Sequence, residues 1–351
     1  MLRELLSEIK PLDSLSMIAA QKKLDSLTKP LGSLGKLEEI VVKLAGISCS
    51  PFPKADNKVT VVMCGDNGVV EEGVSSCPKS VTASVTCNFT RGITGINVFS
   101  KLTGARIVIV DIGVDADIPY TAILNRKIRN GTWNMAKGPA MSLEEAIRGI
   151  QTGIDIVKEL KAEGINLIGT GEMGIGNTST SSAVTAVLTG RPIDSIVGVG
   201  SGLSREAYRN KIEVIRRSIE VNKPDPNAPL DVLAKVGGFD IAGLAGCFLG
   251  AAIYRVPIVI DGFISAVSAL IATRIHPGAR DYMLPSLGSA EPGTEAVMKA
   301  LNMEPMLKLD MRLGEGTGAA LGYQLIDAAL AAYTQMGSFT DASIEQYVPQ
   351  E

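Results

Sequence analysis

Two glutamates and a lysine stand among glycines, where backbone and side chain can approach a ligand closely. Glu315 lies in "RLGEGTGAALG" (312–322) between Gly314 and Gly316, with Leu313 beside it. A carboxylate so placed reads either as a turn residue facing water or as a base held against something small. Glu172 follows Gly171 in "GTGEMG" (169–174), and Lys211 lies on a helical stretch beyond "VGVGSG" (197–202). The single histidine, His276, sits in the turn-like "RIHPG" (274–278). His-rich metal sites are thereby excluded, a Ser-His-Asp triad is disfavoured, and acid–base work falls to carboxylates.

Three loops of small residues each lead into a helical pattern. In "GIGNTSTSS" (174–182), Gly174, Gly176, Asn177 and Thr178 precede a hydroxyl run at the start of a helix. Free N–H groups and the positive helix end there suit a phosphate, although an ordinary N-cap has a similar composition. The density of Gly, Asn and Thr favours the anion. "VGVGSG" supplies Ser201 and Gly202 ahead of the helix carrying Lys211, and "SLGSAEPG" (286–293) supplies Ser289 ahead of a third helix. Together these features suggest a phosphorylated small molecule handled by carboxylates. "GTGEMG" also matches G-x-G-x-x-G, with Asp194 at the spacing of the fingerprint's acid. Pro192 and Asp194 precede the next apolar run instead of ending a strand, so the context for a dinucleotide fails.

The elements that must position these residues alternate along the chain. Apolar runs at 58–65, 105–114, 165–171, 195–202 and 256–263 read as strands, and 142–164 and 204–222 read as helices between them. Near-continuous apolar strands alternating with helices predict an α/β fold, a Rossmann-like parallel sheet covered on both faces. Several strands end in glycine, where open α/β sheets bind ligands. Residues 1–48 and 316–336 are helical without strands. The expected division is therefore 1–48 with 316–351 as a small helical domain from both termini, and 49–315 as the α/β catalytic domain.

Composition narrows the function classes. The chain has 351 residues, 46% of them hydrophobic and 20% charged, with a net charge of −3. It carries no basic block, RNP-type aromatics or zinc-finger spacing, so nucleic-acid binding is not expected. The apolar stretch 241–275 is broken by Arg255, Pro257 and Asp261, which fits a buried helix, strand and helix better than a membrane span. Cys49, Cys64, Cys77, Cys87 and Cys247 show no CxxC pairing, and the N-terminus lacks signal-peptide features. Free thiols in a cytoplasmic protein are expected.

The motifs taken together resemble the nicotinate-nucleotide:dimethylbenzimidazole phosphoribosyltransferase family, which makes the lower-ligand nucleotide of cobamides. The resemblance runs over essentially the whole chain. It includes "LTKPLGSLGKLE" (27–38), "GDNGVVEEGVS" (65–75), "IGTGEMGIGNTSTSSA" (168–183), "KVGGFDIAGLAG" (235–246), "PIVIDGFI" (257–264), "SAEPG" (289–293) and "LDMRLGEGTGAAL" (309–321). It implies a Rossmann-like domain with a small helical domain, working as a dimer without cofactor or metal. The implied partners are nicotinate mononucleotide and an aromatic acceptor. Glu315 corresponds to the family's catalytic base, and Glu172, Gly174 and Lys211 match its active-site positions.

The sequence departs from the family's pattern at Asn67, Val199, Leu287 and Thr294, where histidine or arginine is common. In the acceptor segment "SCPKSVTASVTCNF" (76–89), Ser84 stands where a glutamine commonly binds the benzimidazole. Fewer hydrogen-bonding groups weaken recognition of a second ring nitrogen. The acceptor could thus be a benzimidazole, a purine or a phenol, and the dimer could pair this chain with itself or with a paralogue.

Overall fold

The computed structural model describes residues 2–119, 121–200 and 202–346. Among them, β1 Lys58–Gly65, β2 Arg106–Gly113, β3 Ile123–Asn125, β4 Leu167–Met173, β5 Ile258–Ile260 and β6 Met283–Pro285 form one sheet. Its order is β3-β2-β1-β4-β5-β6, and every neighbouring pair is parallel. The chain builds outward from β1 through β2 and β3, then crosses back to lay β4, β5 and β6 on the other side. Loops leaving β1 and β4 part at this switch point, which opens a crevice at the carboxyl ends of the strands.

Successive side chains of a strand point to opposite faces, and here each face has its own core. Val59, Val61 and Met63 of β1 join Ile168, Ile258 and Ile260 in one core, with the helices Leu143–Ala162, Phe239–Ile253 and Phe263–Ile275. Val62 and Cys64 join Leu167 and Val259 in the other, with the helices Ser14–Ser26, Lys36–Ser48 and Thr317–Gln335. Burial on both faces is why the strands read as unbroken apolar runs. The chain ends meet in the second layer, where Thr28 Oγ1 donates to the Gly337 carbonyl at 2.8 Å. The Tyr323 hydroxyl donates to the Val59 carbonyl at 2.8 Å, fastening the C-terminal helix to β1.

The stretch 241–275 forms a buried helix, strand and helix, and among the described residues no helix is long and apolar enough to cross a membrane. The described residues of the apolar run at 195–202 form no strand. A 3-10 turn, Ile193–Ser195, is followed by irregular backbone. Its carbonyls are taken by side chains of the helix Arg205–Asn222: Tyr208 donates to Val197 O at 3.1 Å and Lys211 to Gly198 O at 3.3 Å. No ladder is left for those groups to join. The short edge strands β3 and β6 carried no periodic signal, because three residues are too few to show one.

Candidate functional site

A cavity of about 280 Å³ opens at the switch point, lined from the ends of β4 and β5 and the loops before Thr317. Glu315 reaches it on a run of three left-handed residues, with φ of 82°, 63° and 95° at Gly314, Glu315 and Gly316. A non-glycine residue there costs about 1–2 kcal/mol, so the surroundings must hold it. Two contacts do so. A Cβ at Gly171 would lie 2.3 Å from the Glu315 carbonyl oxygen, so only glycine on β4 lets this backbone pack against the strand. Glu315 Oε2 accepts from the Ile96 N–H at 3.1 Å, at the start of the helix Gly95–Thr103. Burial raises the Glu315 pKa, and hydrogen bonds from Ile96 and Gly95 oppose the rise.

Glu172 lies one residue before the end of β4 and is 7% exposed. Its Oε2 accepts a short hydrogen bond from Asn177 Nδ2, which also donates to Asp240 Oδ2 at 3.0 Å. One amide thus bridges two buried carboxylates. Gly314 leaves room for the pair, since a Cβ there would meet Glu172 Oε1 at 2.3 Å. The Asp261 oxygens, just beyond β5, accept from the backbone N–H groups of Gly316, Gly318 and Ala319.

The other end of the cavity is cationic. The helix Asn177–Thr189 starts behind Gly176, whose φ is 92°, and Thr178 lies in its first turn. Lys211 is fully buried and donates to Thr178 Oγ1 at 2.8 Å. Burial pulls its pKa down to about 8 against the attraction of Glu291. Gly200 lies beside Lys211 and Thr178, since a Cβ there would be 3.5 Å from Lys211 Nζ and from Thr178 Oγ1, and Ser289 also lines the cavity.

Of the residues singled out in the sequence, Glu172, Gly174, Gly176, Asn177, Thr178, Lys211, Ser289, Leu313, Gly314 and Glu315 all line this cavity. Gly202 does not. It is exposed, with φ of 104° and no neighbouring atom within 4 Å of a Cβ placed there. Ser201 lies outside the described residues. Ser84 is exposed and its hydroxyl turns back to the Ser80 carbonyl at 3.1 Å, so the next residue, Val85, lines the cavity instead. Among the departures from the family pattern, Val199 is on the rim and Leu287 in the lining, while Asn67 and Thr294 are buried.

Sequence reasoning assigned no role to Asp240, Asp261 or Glu291, all buried here. A signal existed for the two aspartates: each is a lone acid in an apolar, glycine-rich run, "GGFDIAGLAG" (237–246) and "VPIVIDGF" (256–263). Such a charge must be buried with its neighbours and therefore needs partners. Glu291 lacked even that, because "SAEPG" looks like a surface turn.

The acidic end has a consequence for stability. Burial, then the Asp240 charge, pushes Glu172 up to about 8, and burial takes Asp240 and Asp261 to about 6. In an unfolded chain such groups lose their protons at roughly pH 4. Between there and pH 8 the folded protein holds protons that the unfolded chain has released, so stability falls as pH rises through that window. Glu172→Gln should make the fall shallower between about pH 5 and pH 8, by up to ~1.4 kcal/mol per pH unit. Calorimetric unfolding at several pH values measures this, and an unchanged slope would mean Glu172 is ionised throughout.

Comparison with known proteins identifies the family. The profile of a family described as "Phosphoribosyltransferase" matches residues 9–344. The nicotinate-nucleotide–dimethylbenzimidazole phosphoribosyltransferase of Ruminiclostridium cellulolyticum is 62% identical over 348 residues, 99% of each chain. The protein of the same name from Clostridium acetobutylicum is 61% identical, again over 99% of each. The crystal structure of CobT from Thermus thermophilus superposes with a TM-score of 0.90 at 38% identity, covering 95% of this chain and 100% of that one. The protein therefore belongs to the nicotinate-nucleotide–dimethylbenzimidazole phosphoribosyltransferase family and is an enzyme of the glycosyltransferase type.

Proposed function

We propose that the chain moves the 5-phosphoribosyl group of nicotinate mononucleotide to an aromatic lower-ligand base, with inversion at C1′. The products are nicotinate and an α-riboside 5′-phosphate for cobamide synthesis. One observation carries this reading: a single cavity has a buried lysine beside a helix N-terminus at one end and two glutamates at the other. The cationic end suits the phosphate, with Lys211, Thr178 and Ser289 as its partners. The acidic end suits the pyridinium ring and the positive charge that develops at C1′. Val74, Val85 and Leu313 supply apolar lining for a flat acceptor.

The chemistry follows from the charges. When the bond from C1′ to the pyridinium nitrogen breaks, its electron pair neutralises that nitrogen, so nicotinate departs without needing a proton. The acceptor's lone pair bonds to C1′ from the opposite face, and its own proton passes to Glu315. Partial burial makes Glu315 a stronger base than a solvated glutamate. Glu172 orients the ribose and faces the growing charge. Burial and the Asp240 charge favour its protonated form, and a cation beside it favours the ionised one.

The acceptor is a benzimidazole, a purine or a phenol. A second reading is a subunit of a heteromeric enzyme acting on phenols, and the Ser84 hydroxyl turned away from the cavity, beside an apolar Val85 in the lining, favours it. We take the working form to be a cytoplasmic dimer. Exposed Ile93, Val98 and Leu102 near the Glu315-bearing loop support an interface there. We also take 1–48 with 316–351 as a helical unit beside the catalytic part 49–315.

Incubating the chain alone with nicotinate mononucleotide and 5,6-dimethylbenzimidazole, adenine or phenol, then weighing the products, tests the reading. An α-riboside phosphate with at least one acceptor is expected. Product formed only after a paralogue is added would favour the heteromer. No product with any acceptor, with or without a paralogue, would overturn the transfer itself.

A further inference from the structure

We infer that Asp261 is the positioning residue that holds Glu315 in its working conformation, an inference that rests on the reading of Glu315 as the base. The helix Thr317–Gln335 begins immediately after Glu315 and Gly316, and its N-cap, Gly316, has no side chain to satisfy the first N–H groups. Asp261 does that from the end of β5. Its Oδ1 accepts from Gly318 N at 2.6 Å and Ala319 N at 3.1 Å, and its Oδ2 accepts from Gly316 N at 3.2 Å. Both oxygens are thus engaged by backbone on the C-terminal side of Glu315.

Asp261 is itself tied to the strands. Its N–H donates to Ser265 Oγ at 3.1 Å, and Ser265 Oγ lies 2.6 Å from Thr170 Oγ1 on β4. Thr170 Oγ1 in turn donates to the Val259 carbonyl of β5 at 2.8 Å. The path from sheet to helix start therefore runs through side chains with fixed partners at each step. Glu315 is left-handed and not glycine, so it keeps that shape only while both of its flanks are held. Gly171 gives it a seat on one side, and Asp261 clamps the turn that follows. The carboxylate of Asp261 borders the cavity, and both its oxygens are engaged by the start of the helix.

Asp261→Asn keeps the shape and replaces one accepting oxygen by an amide that confronts a backbone N–H. A displacement of Glu315 on the order of 1 Å should lower kcat by ~100-fold. The KM for nicotinate mononucleotide should stay within about threefold, because the Lys211 end is untouched. The decisive measurement is a double-mutant cycle with Glu315→Gln. If Asp261 acts through Glu315, adding Asp261→Asn to Glu315→Gln costs no more than about threefold further in kcat. A role in general folding would lower both backgrounds by the same factor, and that additive result overturns the inference, as does a full-rate Asp261→Asn enzyme. If Glu315→Gln alone keeps its rate, the base assignment fails instead. Should Asp261→Asn not fold, Ser265→Ala loosens the same anchor without touching the cap and is read in the same cycle.

Discussion

If Glu315 is the base as proposed, Glu315→Gln should lower kcat by about 10³-fold while the KM for nicotinate mononucleotide changes little, because a positioned base contributes ~10²–10⁴ in rate. The substitution suits the test because glutamine is isosteric and its amide oxygen can still accept from the Ile96 N–H. The cradle of Gly171, Gly314 and Gly316 is undisturbed. What disappears is the capacity to take a proton. The loss should depend on the acceptor, since one that ionises readily in solution needs less help. A series of benzimidazoles or phenols of falling pKa should therefore regain rate in Glu315→Gln, most of all at high pH. Steady-state kinetics with two acceptors of different acidity measures this. An unchanged kcat would assign the proton to another group.

Lys211→Met should raise the KM for nicotinate mononucleotide by ~10–100-fold, the worth of a charged hydrogen bond to phosphate. Buried charges are normally paired, yet the hydrogen-bond partners that Lys211 has in this structure, the Thr178 hydroxyl and the Gly198 carbonyl, are neutral. Glu291 attracts it without a hydrogen bond, and its own Oε2 is buried with no partner. A buried ammonium held beside a helix N-terminus suits the phosphate of the proposed substrate. Methionine retains the packing of the stem, which separates this effect from a cavity. Burial has lowered the Lys211 pKa to about 8, so in the free enzyme the charge is lost as pH rises through that value. Wild-type kcat/KM should fall above about pH 8, and Lys211→Met should lose that limb. An equal KM in the two proteins would place the phosphate elsewhere.

These effects join residues far apart in the chain, which is where reading from sequence met its limit. Glu172 and Glu315 were legible because glycines flank them in strings with no other reactive side chain. That a Cβ at Gly314 would collide with Glu172 was not legible, since it depends on β4 and the 311–316 loop meeting at the switch point. Ser84 shows the converse. On the helix Val81–Arg91 successive side chains lie about 100° apart, so Ser84 is exposed and bonded to Ser80 while Val85 lines the cavity. Gly202 belonged to a run read as strand end, and without a ladder at 195–202 the run left the cavity before reaching it.

The sequence by itself determined the α/β class, the main strands, the helical ends and the chemistry available, because periodicity, glycine placement and the scarcity of histidine are local properties. Tertiary structure alone decided the strand order, the amide bridge from Asn177 to two carboxylates, the burial that moves Glu172 and Lys211 toward neutrality, and the clamp from Asp261 to the helix after Glu315. The physical reason is desolvation. A side chain's charge state and reach depend on which distant segments exclude water around it, and no local pattern records that.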